Sequence, residues 1–234
     1  MTLFVSKLSL GNAGNPVRPK IYDSIDCKSY GEDEYVTILE EDEEVEIIGD
    51  EDVIEDYDED EIKEHEEEMK RLKENLIEEF RDGRLRQGWG YEDGVFSMNL
   101  KIGNGSFYDE NGRIQPEEGW ICSFMNLYCK SQEEAVGRFR ILSRLLDMEK
   151  DDIVFVPNIP SDDMFSVATV DEGYEFKLMK DYNGHGHIIH VRDIEEYYYG
   201  DDTLPKKLWS FPPAVVRIRK EDEFKKFLDK SYFK

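Results

Sequence analysis

The sequence predicts an α+β fold: a small curled β-sheet or β-barrel with flanking helices, preceded by an acidic N-terminal extension. Three observations lead there. Short segments of strand chemistry, separated by turns roughly every 8–12 residues, fill the last third of the chain. Two segments carry apolar residues at helical spacing. The charge is also uneven. The chain has 30 Lys+Arg and 55 Asp+Glu, a formal net charge of −25. Residues 1–80 hold 8 basic and 27 acidic residues, a net of −19, and residues 81–234 hold 22 and 28, a net of −6. The expected division is therefore an acidic region, 1–82, with short strands and one helix, and a β-barrel domain, 83–234.

The elements follow in order. Leu3-Phe4-Val5 is a short apolar run, and Tyr35 to Leu39 and Val45 to Ile48 have strand chemistry, with a loop at Gly11 to Pro16. A helix is expected from Asp60 to Arg81, because Ile62, Met69, Leu72, Leu76, Ile77 and Phe80 recur on one stripe; Asp82-Gly83 stops it. From Arg84 to Trp120 the texture is rich in Gly and aromatics and reads as irregular loops with short strands. Ser131 and Glu134 form a capping box for a second helix, with Val136, Phe139, Leu142, Leu145 and Leu146 on one face. Strands are then expected at Ile153 to Val156, Phe165 to Val170, Tyr174 to Leu178, His187 to Val191 and Val215 to Ile218. A short closing helix turns Phe224, Phe227 and Leu228 inward.

The 13 Phe, 13 Tyr and 3 Trp argue against wholesale disorder. No apolar run approaches the roughly 20 residues that span a bilayer, and the start lacks the apolar stretch of a secretory signal. The three cysteines, Cys27, Cys122 and Cys129, form no even framework and no CxxC. The expectation is a cytoplasmic chain with no membrane partner. Cys122 and Cys129 sit among Phe, Met, Leu and Tyr and are expected to be buried. The densest acidic run, Glu40 to Glu68, reads as a solubilising surface, or as a phosphate mimic or tail that docks a basic protein partner.

One stretch of the chain resembles a known group. A helix ends in Leu145-Leu146-Asp147-Met148, and Lys150 to Pro157 follows, with Asp151-Asp152 where the group carries Gly-Asp. Phe165 to Val170, then Gly173-Tyr174-Glu175-Phe176, then His190-Val191-Arg192-Asp193-Ile194 continue the match, and Arg86-Gln87-Gly88-Trp89-Gly90 matches a Gly-Trp element ahead of it. These residues resemble the PUA-like group of small β-barrels, which includes EVE and YTH domains. They are most similar to versions attached to modification-dependent restriction and other antiviral defence proteins. The resemblance covers roughly Leu85 to Leu228. It implies a module that reads nucleic acid by flipping a modified base into an aromatic-lined pocket.

The residues themselves offer material for such a site. A methylated base needs two or three aromatic walls and a few hydrogen-bond groups. Trp89, Trp120, Tyr174 and Phe176 are candidates, with Trp89 favoured because flanking glycines should expose it; the competing reading for all four is hydrophobic core. Arg86 and Arg140 are the chosen phosphate contacts, from a wider set of Arg84, Lys101, Arg138 and Arg144. The expected function is therefore a non-enzymatic DNA- or RNA-binding module with no cofactor, a sensor or partner in defence. The alternative is an acidic DNA mimic or interaction factor that inhibits a basic protein.

Other chemistry is thinner. Asp162 or Asp163 with Glu175-Phe176-Lys177 matches the bare D…E-x-K skeleton of Mg²⁺-dependent nucleases, but the skeleton is short and common in acidic chains. His185, His187 and His190 are expected to be solvated turn residues, with His187 and His190 on opposite sides of a strand. Neither a Walker loop nor a G-x-S-x-G elbow is present.

Overall fold

Leu3-Phe4-Val5 is apolar at consecutive positions, which suits a strand buried on both faces rather than one facing water. The computed structural model describes residues 1–6, 59–93, 96–103, 105–179, 184–200, 214–219 and 221–233. In it, β1 (Leu3–Ser6) lies inside a six-stranded sheet, wholly buried. The Gly11–Pro16 loop, the strands expected at Tyr35–Leu39 and Val45–Ile48, Cys27, most of the acidic run and the Ile62 side chain lie outside the described residues.

Helix α1 (Glu59–Arg81) buries Leu72, Leu76 and Phe80 along its single apolar stripe. It stops at Gly83, which takes a φ of +87°; a Cβ there would meet the Val191 carbonyl at 2.7 Å. Strand β2 (Arg84–Gln87) follows at once. A two-stranded hairpin, β3 (Ser106–Tyr108) and β4 (Ile114–Pro116), leads into α2 (Glu118–Tyr128). Ser131 caps α3 (Gln132–Leu142) with the full capping box: Glu134 N–H donates to its hydroxyl, and its own N–H donates to the Glu134 carboxylate. A turn of 3₁₀-helix at Ser143–Leu145 brings the chain to β5 (Ile153–Pro157), then β6 (Met164–Phe176), β7 (His187–Tyr198), β8 (Val215–Arg217) and α4 (Asp222–Phe227).

The sheet runs β2-β7-β6-β5-β1-β8, antiparallel except for the β1–β5 pair. Its residues alternate between two cores. Phe4, Leu85, Val154, Val156, Ala168, Val170, Ile189 and Val191 face one core, together with the stripes of α1, α2 and α3. Leu3, Val5, Ile153, Phe155, Phe165 and Val167 face the other, closed by Phe224, Phe227 and Leu228. Three register shifts between β6 and β7, from Val167 to Tyr174, add local twist. The sheet consequently curls into a half-barrel. Gln87 on β2 reaches Ser6 on β1 at 2.8 Å, although three strands lie between them.

Four expectations change. The loop texture after Arg84 contains a helix, α2, whose buried Trp120, Phe124, Leu127 and Tyr128 recur at helical spacing; Glu117 supplies no side-chain cap to announce it. Phe165–Val170 and Tyr174–Phe176 fall in one strand of 13 residues, because Gly173 continues the extended backbone instead of turning it; Lys177 and Leu178 lie beyond its end, and β7 runs on past Val191 to Tyr198. A cut at residue 82 would separate β1 and α1 from the sheet and core they complete. Cys129 is exposed and Cys122 half-buried: Cys129 follows the last turn of α2 as its C-cap, at a left-handed φ of +52°.

Candidate functional site

The C-terminal end of β6, the N-terminal end of β7 and the exit of β2 meet at one mouth of the half-barrel, since Phe176 pairs with His187 and His187 with Gln87. Trp89 leaves β2 there at a φ of +65°, a left-handed conformation that costs a bulky residue strain. Two contacts hold it. Gly90 N–H donates to the Gly184 carbonyl at 3.0 Å, and His187 Nε2 lies 3.3 Å from the Trp89 carbonyl. A carbonyl only accepts, so Nε2 carries the proton and Nδ1 is bare. Tyr174 then donates its hydroxyl to Nδ1 at 2.8 Å and accepts from the Leu100 N–H at 3.1 Å. The result is a buried relay from Leu100 through Tyr174 and His187 to Trp89. Burial pushes the imidazole down to about 3 and the Tyr174 phenol up, so both stay neutral at ordinary pH.

The Trp89 ring lies in a ladder of aromatics. Phe124 stacks on it at 5.4 Å between centroids, Tyr128 meets it edge-on at 4.8 Å, and Trp120 stacks in turn on Phe124 at 5.5 Å. The Arg138 guanidinium from α3 lies over the Trp89 ring, its Cζ 4.3 Å from the centroid. Phe176 packs edge-on against His187 at 5.3 Å. Its ring also fills the space where Gly186 lacks a side chain, 2.8 Å from the place a Cβ would occupy.

Arg86 serves the same mouth from the other face of β2. Its guanidinium donates to the carbonyls of Lys177 and His185 at 2.7 and 2.9 Å and to Glu79 at 2.8 Å. Arg84 binds the same carboxylate at 2.7 Å. Burial alone would raise the Glu79 carboxyl, but hydrogen bonds and charge from Arg84 and Arg86 outweigh it and hold the group below its usual range. These residues border a polar groove of about 620 Å³, in which His190 lies 2.7 Å from Glu175.

Of the residues expected to bind nucleic acid, Arg86, Trp89, Tyr174 and Phe176 meet at this mouth, Trp120 lies one ring behind Trp89 in the core, and Arg140 is exposed on α3. Trp89 is buried rather than exposed: the flanking glycines permit its tight turn instead of lifting the ring into solvent. Trp120 is fully buried, its indole N–H donating to the Met98 carbonyl at 3.2 Å. His185 and His187 are buried as well, contrary to their expected solvation. Arg138, named only in the wider basic set, and Tyr128, not named, complete the ring cluster. The nuclease skeleton does not assemble. Asp162 and Asp163 precede β6 and Glu175 is its last residue but one, roughly 40 Å away along a fully extended strand. Lys73 lies 3.5 Å from Asp162, and Glu175 faces His190. Among the described residues no group of three His, Cys, Asp or Glu side chains could hold a metal ion, and no helix is long and apolar enough to cross a membrane. No protein-family model, curated protein or solved structure matches the chain.

Proposed function

We propose that the chain is a non-enzymatic recognition module that binds nucleic acid and stacks a base, including a modified one, on Trp89. Its resemblance to the PUA-like group supplies the context of a sensor or partner in antiviral defence. The observation that carries the reading is the state of Trp89. A tryptophan held in a strained backbone conformation by a dedicated buried relay is an expensive arrangement for a residue that only fills space. It stands at the mouth of a curled sheet, a common place for ligands, and aromatic faces accept any base by stacking. In the described conformation Arg138 covers the ring, so a base reaches it by displacing that side chain.

Binding of the full chain to short duplexes and single strands, unmodified and base-methylated, tests this. Trp89→Leu is expected to weaken binding roughly tenfold or more, the worth of one stacked base. Failure of the full chain to bind any member of the panel would overturn it.

A second reading, an acidic factor that docks a basic protein, rests on a separate observation. Around α1, β6 and β7 several cations are paired with carboxylates. Arg81 pairs with Glu196 at 3.0 Å, and Arg192 with Asp151 at 2.5 Å and Asp171 at 3.4 Å, while Glu74, Glu78, Glu172 and Glu195 remain exposed. That surface favours a basic partner over a phosphate backbone.

A further inference from the structure

The ring that would stack a base is already covered by a planar cation. Arg138 Cζ stands 4.3 Å from the Trp89 centroid, and an indole face attracts positive charge through its electron-rich π-system. The surrounding groups are neutral: Phe124 stacked on the ring, Tyr128 at its edge, and the imidazole of His187 behind its backbone. Tyr128 adds a second requirement. The residue is only 7% exposed, and its hydroxyl has no hydrogen-bond partner among the described residues. A buried hydroxyl left unpaired is unfavourable, so an incoming acceptor would be stabilised there. The net charge of −25 attracts cationic ligands to the protein at low salt.

Resting on the recognition reading above, the geometry points to a planar, positively charged base carrying a carbonyl acceptor as the ligand of Trp89, a base made cationic by ring N-methylation such as N7-methylguanine, with the Arg138 guanidinium occupying its place until it binds. Methylation at N7 makes the ring cationic at mildly acidic pH and leaves the exocyclic carbonyl free. The first feature replaces the guanidinium over the indole, and the second answers the Tyr128 hydroxyl.

Calorimetric titration of the full chain with nucleosides at mildly acidic pH separates these features. N7-methylguanosine carries both the charge and the carbonyl, guanosine only the carbonyl, and N1-methyladenosine only the charge. N7-methylguanosine is expected to bind roughly tenfold more tightly than guanosine. Arg138→Ala should tighten it several-fold by removing the internal competitor, and Trp89→Leu should abolish the preference. Tyr128→Phe should erase the advantage of N7-methylguanosine over N1-methyladenosine. Equal affinity for guanosine and N7-methylguanosine, in the full chain and in Arg138→Ala alike, would overturn the inference, as would the absence of nucleoside binding to both proteins at roughly millimolar concentration. Oligonucleotides make the second arm. Trp89-dependent binding with no preference for the charged base would overturn this inference and leave the recognition reading standing. No oligonucleotide binding at all would overturn both.

Discussion

Gln87 Nε2 and Ser6 Oγ are 2.8 Å apart, on strands that stand first and fifth in the sheet. Neighbouring strands lie about 4.8 Å apart, so a flat sheet would separate these two by roughly 19 Å. The bond is therefore a seam across the curl, and both side chains are fully buried at it. Replacing either residue removes this hydrogen bond from a dry interior. Gln87→Leu and Ser6→Ala should each destabilise by about 1–3 kcal/mol. The double variant should cost less than the sum, with a coupling of about 1 kcal/mol in a denaturant double-mutant cycle. Zero coupling would mean that the seam does not contribute to closing the half-barrel.

The buried imidazole of His187 makes stability depend on acid. Its folded value lies near 3, against an ordinary 6.5, with burial as the main cause. Below about pH 6.5 the unfolded chain therefore takes up a proton that the folded chain refuses until about pH 3. More protons bound to the unfolded state means that stability falls as pH falls through this window, by up to about 1.4 kcal/mol per unit. His187→Gln removes that proton from both states. Urea midpoints measured from neutral pH down to about pH 4 should fall less steeply in the variant, by close to one proton per molecule. Parallel slopes would place a protonatable His187 in the folded state.

Two ion pairs of α1 should differ sharply. Glu79 receives Arg84 and Arg86, and the Arg86 side chain is only 5% exposed. Glu79→Gln leaves a buried guanidinium without its counter-charge, at a cost of about 3 kcal/mol. Arg81 and Glu196 meet in solvent, at 53% and 34% side-chain exposure. Arg81→Ala should change stability by less than about 1 kcal/mol. Chemical denaturation of both variants, at low and high salt, checks the contrast; similar costs would show that Arg86 finds enough support from the Lys177 and His185 carbonyls alone.

Residues whose neighbours in sequence decide their structure were legible from the sequence. The stripe of α1, its stop at Gly83, the Ser131–Glu134 box and the apolar run of β5 are local patterns with local causes. The site needed distant partners. Nothing near Trp89 announces that His187, 98 positions later, binds its carbonyl, or that Arg138 covers its ring. The burial of His187 follows from the pairing of β7 with both β2 and β6, and His185 lies in the turn before it, where Arg86 binds its carbonyl; periodicity alone gives neither. Helix α2 was legible in principle from Trp120, Phe124, Leu127 and Tyr128, but a weak start at Glu117 and a Gly-rich approach hid it.

Gly90 has no such freedom to vary. A Cβ on it would sit 2.4 Å from the Gly186 N, a backbone atom that cannot step aside as a flexible side chain would. Gly90 also carries the N–H that ties the Trp89 turn to Gly184. Gly90→Ala should push the β2 exit away from the turn before β7, cost about 1–3 kcal/mol, and loosen Trp89. The expected readout is a redder, more quenchable tryptophan emission together with weaker oligonucleotide binding. Unchanged fluorescence and unchanged affinity would mean that the two turns are not coupled to the site.

The acidic run decides between the two functional readings. Residues 40–58 contribute 12 carboxylates and no cation. If the protein reads nucleic acid at Trp89, this charge repels the phosphate backbone, so removing residues 40–58 should raise oligonucleotide affinity several-fold at low salt. The gain should shrink as salt screens it over a Debye length of about 10 Å. If the protein docks a basic partner, the same deletion should weaken binding to a basic protein such as a histone, and leave oligonucleotides unbound before and after. The two outcomes move in opposite directions on one variant, and a thermal melt close to that of the full chain would show that the half-barrel is intact in both comparisons.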